Sequence, residues 1–176
     1  ARELNERQTE DSGKYLSWLG NIERVSDHAV NIAELAQELA HKKAFFSPQA
    51  AQELKICTDA VLEIAVLTQE AMIDNDFAKA RRVEPLEEVI DALTEELKLR
   101  HIQRVQAGQC TLALGFVFND CINNLERVAD HCSNIAVTLI EIAQNSFDTH
   151  EYLHHMKEDS ESFNNLVEAY AEKFDI

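Results

Sequence analysis

Residues 21–33 read NIERVSDHAVNIA and residues 124–136 read NLERVADHCSNIA, so nine of thirteen positions are identical at an offset of 103. In both copies apolar residues recur at three- and four-residue intervals, which is typical of an amphipathic helix. An offset of 103 is too long for solenoid units of roughly 20–50 residues. The repeat therefore indicates duplication of a helical subdomain, with each copy ending a three-helix unit.

The rest of the chain predicts more long helices, because it lacks alternating apolar patterns and Asn-Gly or Asp-Gly hairpin turns. Periodicity and capping signals predict helices over residues 9–43, 48–73, 77–106 and 110–145, followed by one or two short helices that end at Phe174. Ser47 is the expected N-cap of the second helix, Pro85 is expected to kink the third and Gly108 to end it. Short connections make such helices antiparallel neighbours, so the fold class is all-α, an antiparallel up-and-down helical bundle.

One face of each helix supplies the predicted core. The first helix contributes Leu16, Leu19, Ile22, Val25, Ala29, Ile32 and Leu39, the second Leu54, Val61, Ile64 and Leu67, the third Val83, Leu86, Ile90, Leu93 and Leu97, and the fourth Leu125, Val128, Cys132, Ile135 and Leu139. Trp18, Phe116, Phe118 and Tyr170 are expected to pack on these faces, and the four cysteines to be reduced thiols, since none shows a CxxC spacing.

Charge excludes several classes of function. Thirty-two acidic against sixteen basic residues give a net charge of −16, which repels phosphate backbones and anionic lipid surfaces, so nucleic acid is not an expected partner. The longest apolar run, residues 112–118, is far shorter than the roughly 20 residues of a membrane span, so this chain is not expected to insert into a bilayer.

Pairs of carboxylates four residues apart are the candidate functional groups. Residues four apart lie one turn apart on one helix face, so each pair places two like charges together, which costs a few tenths of a kcal/mol and favours a compensating cation. The pairs are Glu23 with Asp27, Glu126 with Asp130, and Glu87 with Asp91. Two such pairs on antiparallel helices could surround a metal ion, and hard oxygen ligands suit Mg²⁺, Ca²⁺, Mn²⁺ or iron, while the neighbouring His28 and His131 could admit Zn²⁺. The alternative is a solvated acidic face without metal.

Two other patterns could also bind metal. His150, Glu151 and His154 fit the HExxH pattern of zinc peptidases, but they follow a polar break rather than lying within a long active-site helix. His101 follows Asp91 by ten residues, about 15 Å along a helix, which favours packing or capping over ligation of the same ion. A carboxylate-bridged metalloenzyme and a metal-free interaction module stay open as alternative functions.

Both copies of the repeat resemble the ERIxDHxxNIA motif of PhoU-like domains, which are built from three-helix bundles. The segments 100–104, Gly108-x-Cys110 and 150–154 further resemble the C-terminal cytoplasmic domain of bacterial sodium/phosphate cotransporters. The resemblance implies a regulatory rather than catalytic protein that binds metal clusters and restrains phosphate uptake. It implies one metal site from Glu126, Asp130, Glu87 and Asp91, and half of another from Glu23 and Asp27, with iron or zinc as the metal and Mg²⁺ or Mn²⁺ as further options.

On this resemblance, residues 1–46 are the last helix of a first three-helix unit, 47–146 are a second unit, and 147–176 are a C-terminal helical tail. The implied partner is a membrane phosphate transporter, which we expect to be the membrane domain of the same polypeptide, at the cytoplasmic face of the cell membrane. A homodimer is a further option. Since the first unit has too few preceding residues for its other two helices, the chain is expected to be a piece of a longer protein.

Overall fold

The computed structural model describes the backbone of residues 6–144 and 149–176, and the side chains of residue 9, residues 12–142 and residues 161–176. These residues form six helices and confirm the all-α prediction: α1 (Glu6–Lys42), α2 (Pro48–Asp74), α3 (Phe77–Ala80), α4 (Val83–Gln106), α5 (Leu112–Gln144) and α6 (Thr149–Lys173). Helices α2, α4 and α5 form a three-helix bundle, with α1 along α5 and α6 along α4. None of the described helices is both long enough and apolar enough to span a membrane.

Two helix ends follow the predicted capping signals. The Ser47 hydroxyl accepts a hydrogen bond from the Ala50 amide at 3.2 Å and thereby caps α2. Gly108 has a φ of 69°, a left-handed conformation that glycine adopts at little cost. The Gln109 amide then donates to the Arg104 carbonyl at 2.9 Å, which closes α4 in a Schellman motif.

The predicted third helix is wrong in one respect, because it is divided into α3 and α4 rather than kinked at Pro85. The break falls at Arg81 and Arg82, so Pro85 is the third residue of α4. Within a continuous helix, Pro85 would have no amide hydrogen for the Arg81 carbonyl, and its ring would clash with that group. In the first turn of a new helix the missing amide costs nothing, because amides there have no partner within the helix.

The core of the three-helix bundle matches the prediction closely. The fully buried side chains include Ile64, Leu86, Ile90, Leu97, Phe118, Ile122 and Leu139. The four cysteines are all free thiols, as predicted, with Cys57 and Cys132 buried. Among the four aromatic residues predicted to pack on the core, Phe116 is the exception, because it is 63% exposed on α5, whereas Trp18 packs on the core and Phe118 and Tyr170 are buried.

The apolar face of α1 is the main error in the predicted core. Leu16 is 69% exposed, and Leu19 and Ile22 are exposed as well, because among the described helices α1 packs chiefly on α5. The 103-residue offset equates Leu19 and Ile22 with Ile122 and Leu125, which are both buried in the three-helix bundle. The two copies of the repeat thus have similar sequences and different surroundings.

The repeat itself builds the contact between α1 and α5. The Asn21 side chain pairs with Nδ1 of His131 at 2.9 Å, and the equivalent Asn124 pairs with Nδ1 of His28 at 2.9 Å. The two imidazole rings stack with their centroids 5.6 Å apart. Since each asparagine contacts the histidine of the other copy, the two helices are antiparallel and related by an approximate twofold axis.

A buried ion pair links α2 and α4, and sequence reasoning missed it. Glu53 of α2 bonds Arg104 of α4 at 2.7 Å, and both side chains are more than nine-tenths buried. Arg100 adds a second contact to Glu53 at 3.3 Å and donates to the carbonyl of the C-terminal Ile176 at 3.0 Å. This network joins α2, α4 and the chain terminus.

The C-terminal region forms one helix of 25 residues, α6, rather than short helices. Tyr170 and Phe174 are buried against the bundle, and the Tyr170 hydroxyl contacts the guanidinium of Arg82 at 3.2 Å. The predicted polar break falls on residues 145–149, of which 145–148 lie outside the described residues.

Candidate metal centre

Three carboxylates converge where α4 faces α5. Glu87 and Asp91 lie one turn apart on α4, and Asp130 projects from the antiparallel α5. One carboxylate oxygen from each lies within 4.8 Å of the others. We call Glu87, Asp91 and Asp130 the carboxylate cluster. Glu87 and Asp130 are half-buried and Asp91 is exposed, so the carboxylate cluster lies at the edge of the core and is open to solvent on one side.

The apolar faces of the two helices position the carboxylate cluster. Leu86 and Ile90 of α4 are fully buried, and Ala129 and Cys132 of α5 are at most 2% exposed. Burial of these neighbours fixes the rotation of each helix about its axis. The acidic residues beside them are therefore held along the α4–α5 boundary rather than pointing freely into water.

Burial and the crowding of like charges raise the pKa values of Glu87 and Asp91. Burial, together with the charges of Asp91, Glu84 and Asp130, raises the pKa of Glu87 from 4.5 to about 7. Burial also raises the pKa of Asp91, with further contributions from Glu126 and Asp130. The negatively charged forms of Glu87 and Asp91 are therefore disfavoured, and a cation placed beside them would relieve the repulsion.

Glu126, the fourth predicted ligand, lies beside the carboxylate cluster but is paired elsewhere. Its carboxylate accepts a hydrogen bond from the Lys98 ammonium group on α4. Sequence reasoning missed Lys98, although its position seven residues after Asp91 places it two turns along the same face of α4. Arg127 contributes a second, more exposed cation, 3.6 Å from Asp130.

Glu23 and Asp27 do not belong to a group of three or more potential metal ligands among the described residues. Both are exposed on α1, and neither belongs to the carboxylate cluster. His28 and His131 are also outside that cluster, and each uses its Nδ1 atom for an asparagine of the other repeat copy. Within the described residues, the repeat thus contributes one carboxylate to the carboxylate cluster, that of Asp130 on α5.

The HExxH candidate, His150, Glu151 and His154, falls on residues whose side chains lie outside the described part of the structure. His101 is buried, its ring stacks on Phe118 at 4.3 Å, and it belongs to the bundle core as predicted.

Chemically, the carboxylate cluster offers oxygen ligands from two helices at a solvent-accessible edge. Three oxygen ligands leave coordination positions for water, for Glu126 or for an anion, and this donor set suits hard cations such as Mg²⁺, Mn²⁺ or iron. The residues present therefore fit a cation site.

Comparisons with known proteins find similarities to the region that carries the carboxylate cluster. Residues 55–139 match the family model described as the PhoU domain. Over 127 residues the chain is 28% identical to the phosphate-specific transport system accessory protein PhoU homolog 1 of Thermotoga maritima, covering 72% of this chain and 54% of that protein. It is 24% identical over 121 residues to the phosphate-specific transport system accessory protein PhoU homolog of Deinococcus radiodurans, covering 69% of this chain and 55% of that protein.

The chain thus spans about half the length of the curated relatives that it matches. No solved structure matches it significantly. The matched region includes all of α4 and most of α2 and α5, and with them Glu87, Asp91, Glu126 and Asp130. Residues 55–139 of this chain are therefore similar to the PhoU domain.

Proposed function

We propose that this chain is a metal-binding regulatory domain of a phosphate transport system, that it modulates phosphate uptake and that it is not an enzyme. The convergence of Glu87, Asp91 and Asp130 within the region that matches the PhoU domain carries the proposal. The names of two relatives, which describe accessory proteins of phosphate-specific transport systems, support it.

The proposed metal is iron or zinc, with Mg²⁺ and Mn²⁺ as further options. Its ligands are the carboxylate cluster together with Glu126. Glu23 and Asp27 are proposed as half of a second site, which needs carboxylates from elsewhere. A metal is required for any sensing of phosphate, because a chain with a net charge of −16 repels that anion, whereas a bound cation attracts it.

The proposed partner is the membrane domain of a sodium-dependent phosphate cotransporter, in the same polypeptide and at the cytoplasmic face of the membrane. The resemblance of segments 100–104 and 108–110 to such cotransporters supports this proposal. A homodimer is a further possible assembly of the domain.

Elemental analysis of the purified chain tests metal binding directly, beside the double variant Glu126→Ala/Asp130→Ala. We expect about one or more metal ions per wild-type chain, and loss of that metal in the double variant. Glu88→Gln is the matched control, because Glu88 is an exposed acid on α4 outside the carboxylate cluster. Absence of metal from the wild type after titration with iron, zinc, manganese and magnesium would contradict the proposal.

Phosphate binding provides a second test. Isothermal titration with phosphate should show binding to the metal-loaded chain and none after complete chelation. Phosphate affinity that survives chelation would show that the protein itself binds the anion, and would overturn the proposed role of the metal.

The exposed apolar face of α1 favours a second candidate function, a metal-free interaction module. Tyr15, Leu16 and Leu19 are all more than half exposed there, beside the acidic Glu23 and Asp27. Such a face suits contact with an apolar partner surface that has a basic rim. This alternative predicts binding of the partner that weakens with salt and does not change on chelation.

A further inference from the structure

We infer that Lys98 is a built-in competitor for the metal: its ammonium group holds Glu126 while the site is empty, and metal binding takes Glu126 from it. The inference rests on the proposed metal-binding function and adds a residue that controls it. The observation that carries it is the ion pair between Lys98 and Glu126 beside the carboxylate cluster.

The geometry places this ion pair in line with the carboxylate cluster. Lys98 follows Asp91 by seven residues on α4, and Glu126 precedes Asp130 by four residues on the antiparallel α5. The two steps are close to two turns and one turn of a helix, so the pair lies on the faces that carry the acidic residues. Glu126 is therefore placed to join the metal site, but its carboxylate is already engaged by a cation of the protein.

The pair is more than a fluctuating surface contact. The Lys98 side chain is 28% exposed and that of Glu126 is 31% exposed, so both are partly withdrawn from water. Partial burial reduces the screening of their attraction relative to an exposed pair. By contrast, Arg127 is 64% exposed and lies 3.6 Å from Asp130, so its charge is well screened.

The charge of Lys98 also reaches the carboxylate cluster. Burial, followed by Glu126 and Asp130, raises the pKa of Asp91, and the positive charge of Lys98 opposes that rise. The ammonium thus partly neutralises the acidic face in the absence of metal. A metal ion bound by four carboxylates would supply the same neutralisation more strongly, and would repel the lysine.

Lysine suits this role because its charge sits on a flexible four-carbon stem. The side chain already reaches solvent, so the ammonium can move into water without any change in the helices. Competition of this kind lowers the apparent metal affinity, since the free energy of the ion pair must be given up when the metal binds. Metal binding would also free the ammonium group of Lys98 at the surface of the bundle.

The test is calorimetric titration of the 176-residue chain with Mn²⁺, which prefers oxygen ligands. Lys98→Met removes the charge and keeps the length of the side chain, and we expect it to bind Mn²⁺ about five- to tenfold more tightly than wild type. Lys98→Arg keeps the ion pair and should bind like wild type. Arg127→Met is the matched control, because it removes one positive charge beside Asp130. Its affinity for Mn²⁺ should exceed that of wild type by less than about twofold.

A double-mutant cycle separates competition for Glu126 from a general effect of charge. Lys98→Met should have little effect in a Glu126→Gln background, because no carboxylate is left for the lysine to withhold. An equal gain in the Lys98→Met and Arg127→Met variants, or a gain that persists without Glu126, would overturn the inference.

The same titrations distinguish failure of this inference from failure of the proposed function. If wild type binds Mn²⁺ and Lys98→Met does not bind it more tightly, only the role of Lys98 is overturned. If wild type and Lys98→Met bind none of Mn²⁺, iron, zinc and Mg²⁺ while circular dichroism shows them folded, metal binding and the role of Lys98 fail together.

Discussion

Glu87 should destabilise the metal-free protein at alkaline pH, so Glu87→Gln should make that form more stable. The pKa of this carboxyl group is raised from 4.5 to about 7, first by burial and then by Asp91 and the other acidic neighbours. Between these two pH values the unfolded chain has lost the proton and the folded chain still holds it. The free energy of unfolding therefore falls as pH rises through this range, and the penalty is complete above pH 7.

The difference between 4.5 and about 7 corresponds to an upper bound of roughly 3 kcal/mol. The Glu87 side chain is only half-buried, so solvent screening reduces this figure, and we expect about 1 kcal/mol. Glutamine has a similar shape and no charge. At pH 8 the metal-free Glu87→Gln variant should therefore unfold about 2–4 °C above wild type, and at pH 4 the two proteins should unfold at nearly the same temperature.

Thermal unfolding followed by circular dichroism, with chelator present at pH 4 and pH 8, measures this effect. Glu88→Gln is the control, because it removes an exposed carboxylate from the same helix. With saturating Mn²⁺ the order should reverse at pH 8, since the variant has lost a proposed ligand. A Glu87→Gln variant that is less stable than wild type at pH 8 without metal, or a gain that is equal at pH 4, would refute the reasoning.

Three further predictions concern packing and are measured by urea denaturation. Replacing glycine by alanine within a helix usually raises the free energy of unfolding by about 1 kcal/mol. Gly115→Ala should not show this increase, because the new Cβ would lie 3.2 Å from the His101 ring. Gly20→Ala should show it, because the space around Gly20 is open. Glu53→Gln should cost about 3–5 kcal/mol, because it leaves a buried arginine unpaired. Asn124→Ala should cost about 1–2 kcal/mol by removing two hydrogen bonds between the repeat copies, those of its Oδ1 with His28 and Asn31. These expectations would be contradicted by an equal stabilisation of Gly115→Ala and Gly20→Ala, or by a loss of less than about 0.5 kcal/mol in the free energy of unfolding of Glu53→Gln or Asn124→Ala.

Local features of the sequence were sufficient to predict most of the helices. Ser47 and Gly108 act within a few residues of their own positions, so their capping roles can be read from the sequence. Pro85 also indicated a discontinuity in the helix, but the break lies before Pro85 rather than at it. Proline is tolerated in the first turn of a helix, so α4 begins at Val83 and includes Pro85.

The repeat predicted which carboxylates share a helix face, because residues four apart are always one turn apart. That rule made Glu87, Asp91 and Asp130 candidates from the sequence. It could not show that these three would meet while Glu126 would pair with Lys98, because that outcome depends on how α4 and α5 are rotated against each other. Distances between helices are decided by packing, and helical periodicity carries no information about them.

The two copies of the repeat show where the sequence stops being sufficient. Leu19 and Ile122 occupy equivalent positions in similar helices, yet Leu19 is exposed and Ile122 is fully buried. The sequence by itself determined the helices, their apolar faces and their acidic pairs, because these depend on neighbours within one or two turns. Only the tertiary structure decided which faces acquire partners, because burial and the meeting of charges require another helix to lie alongside.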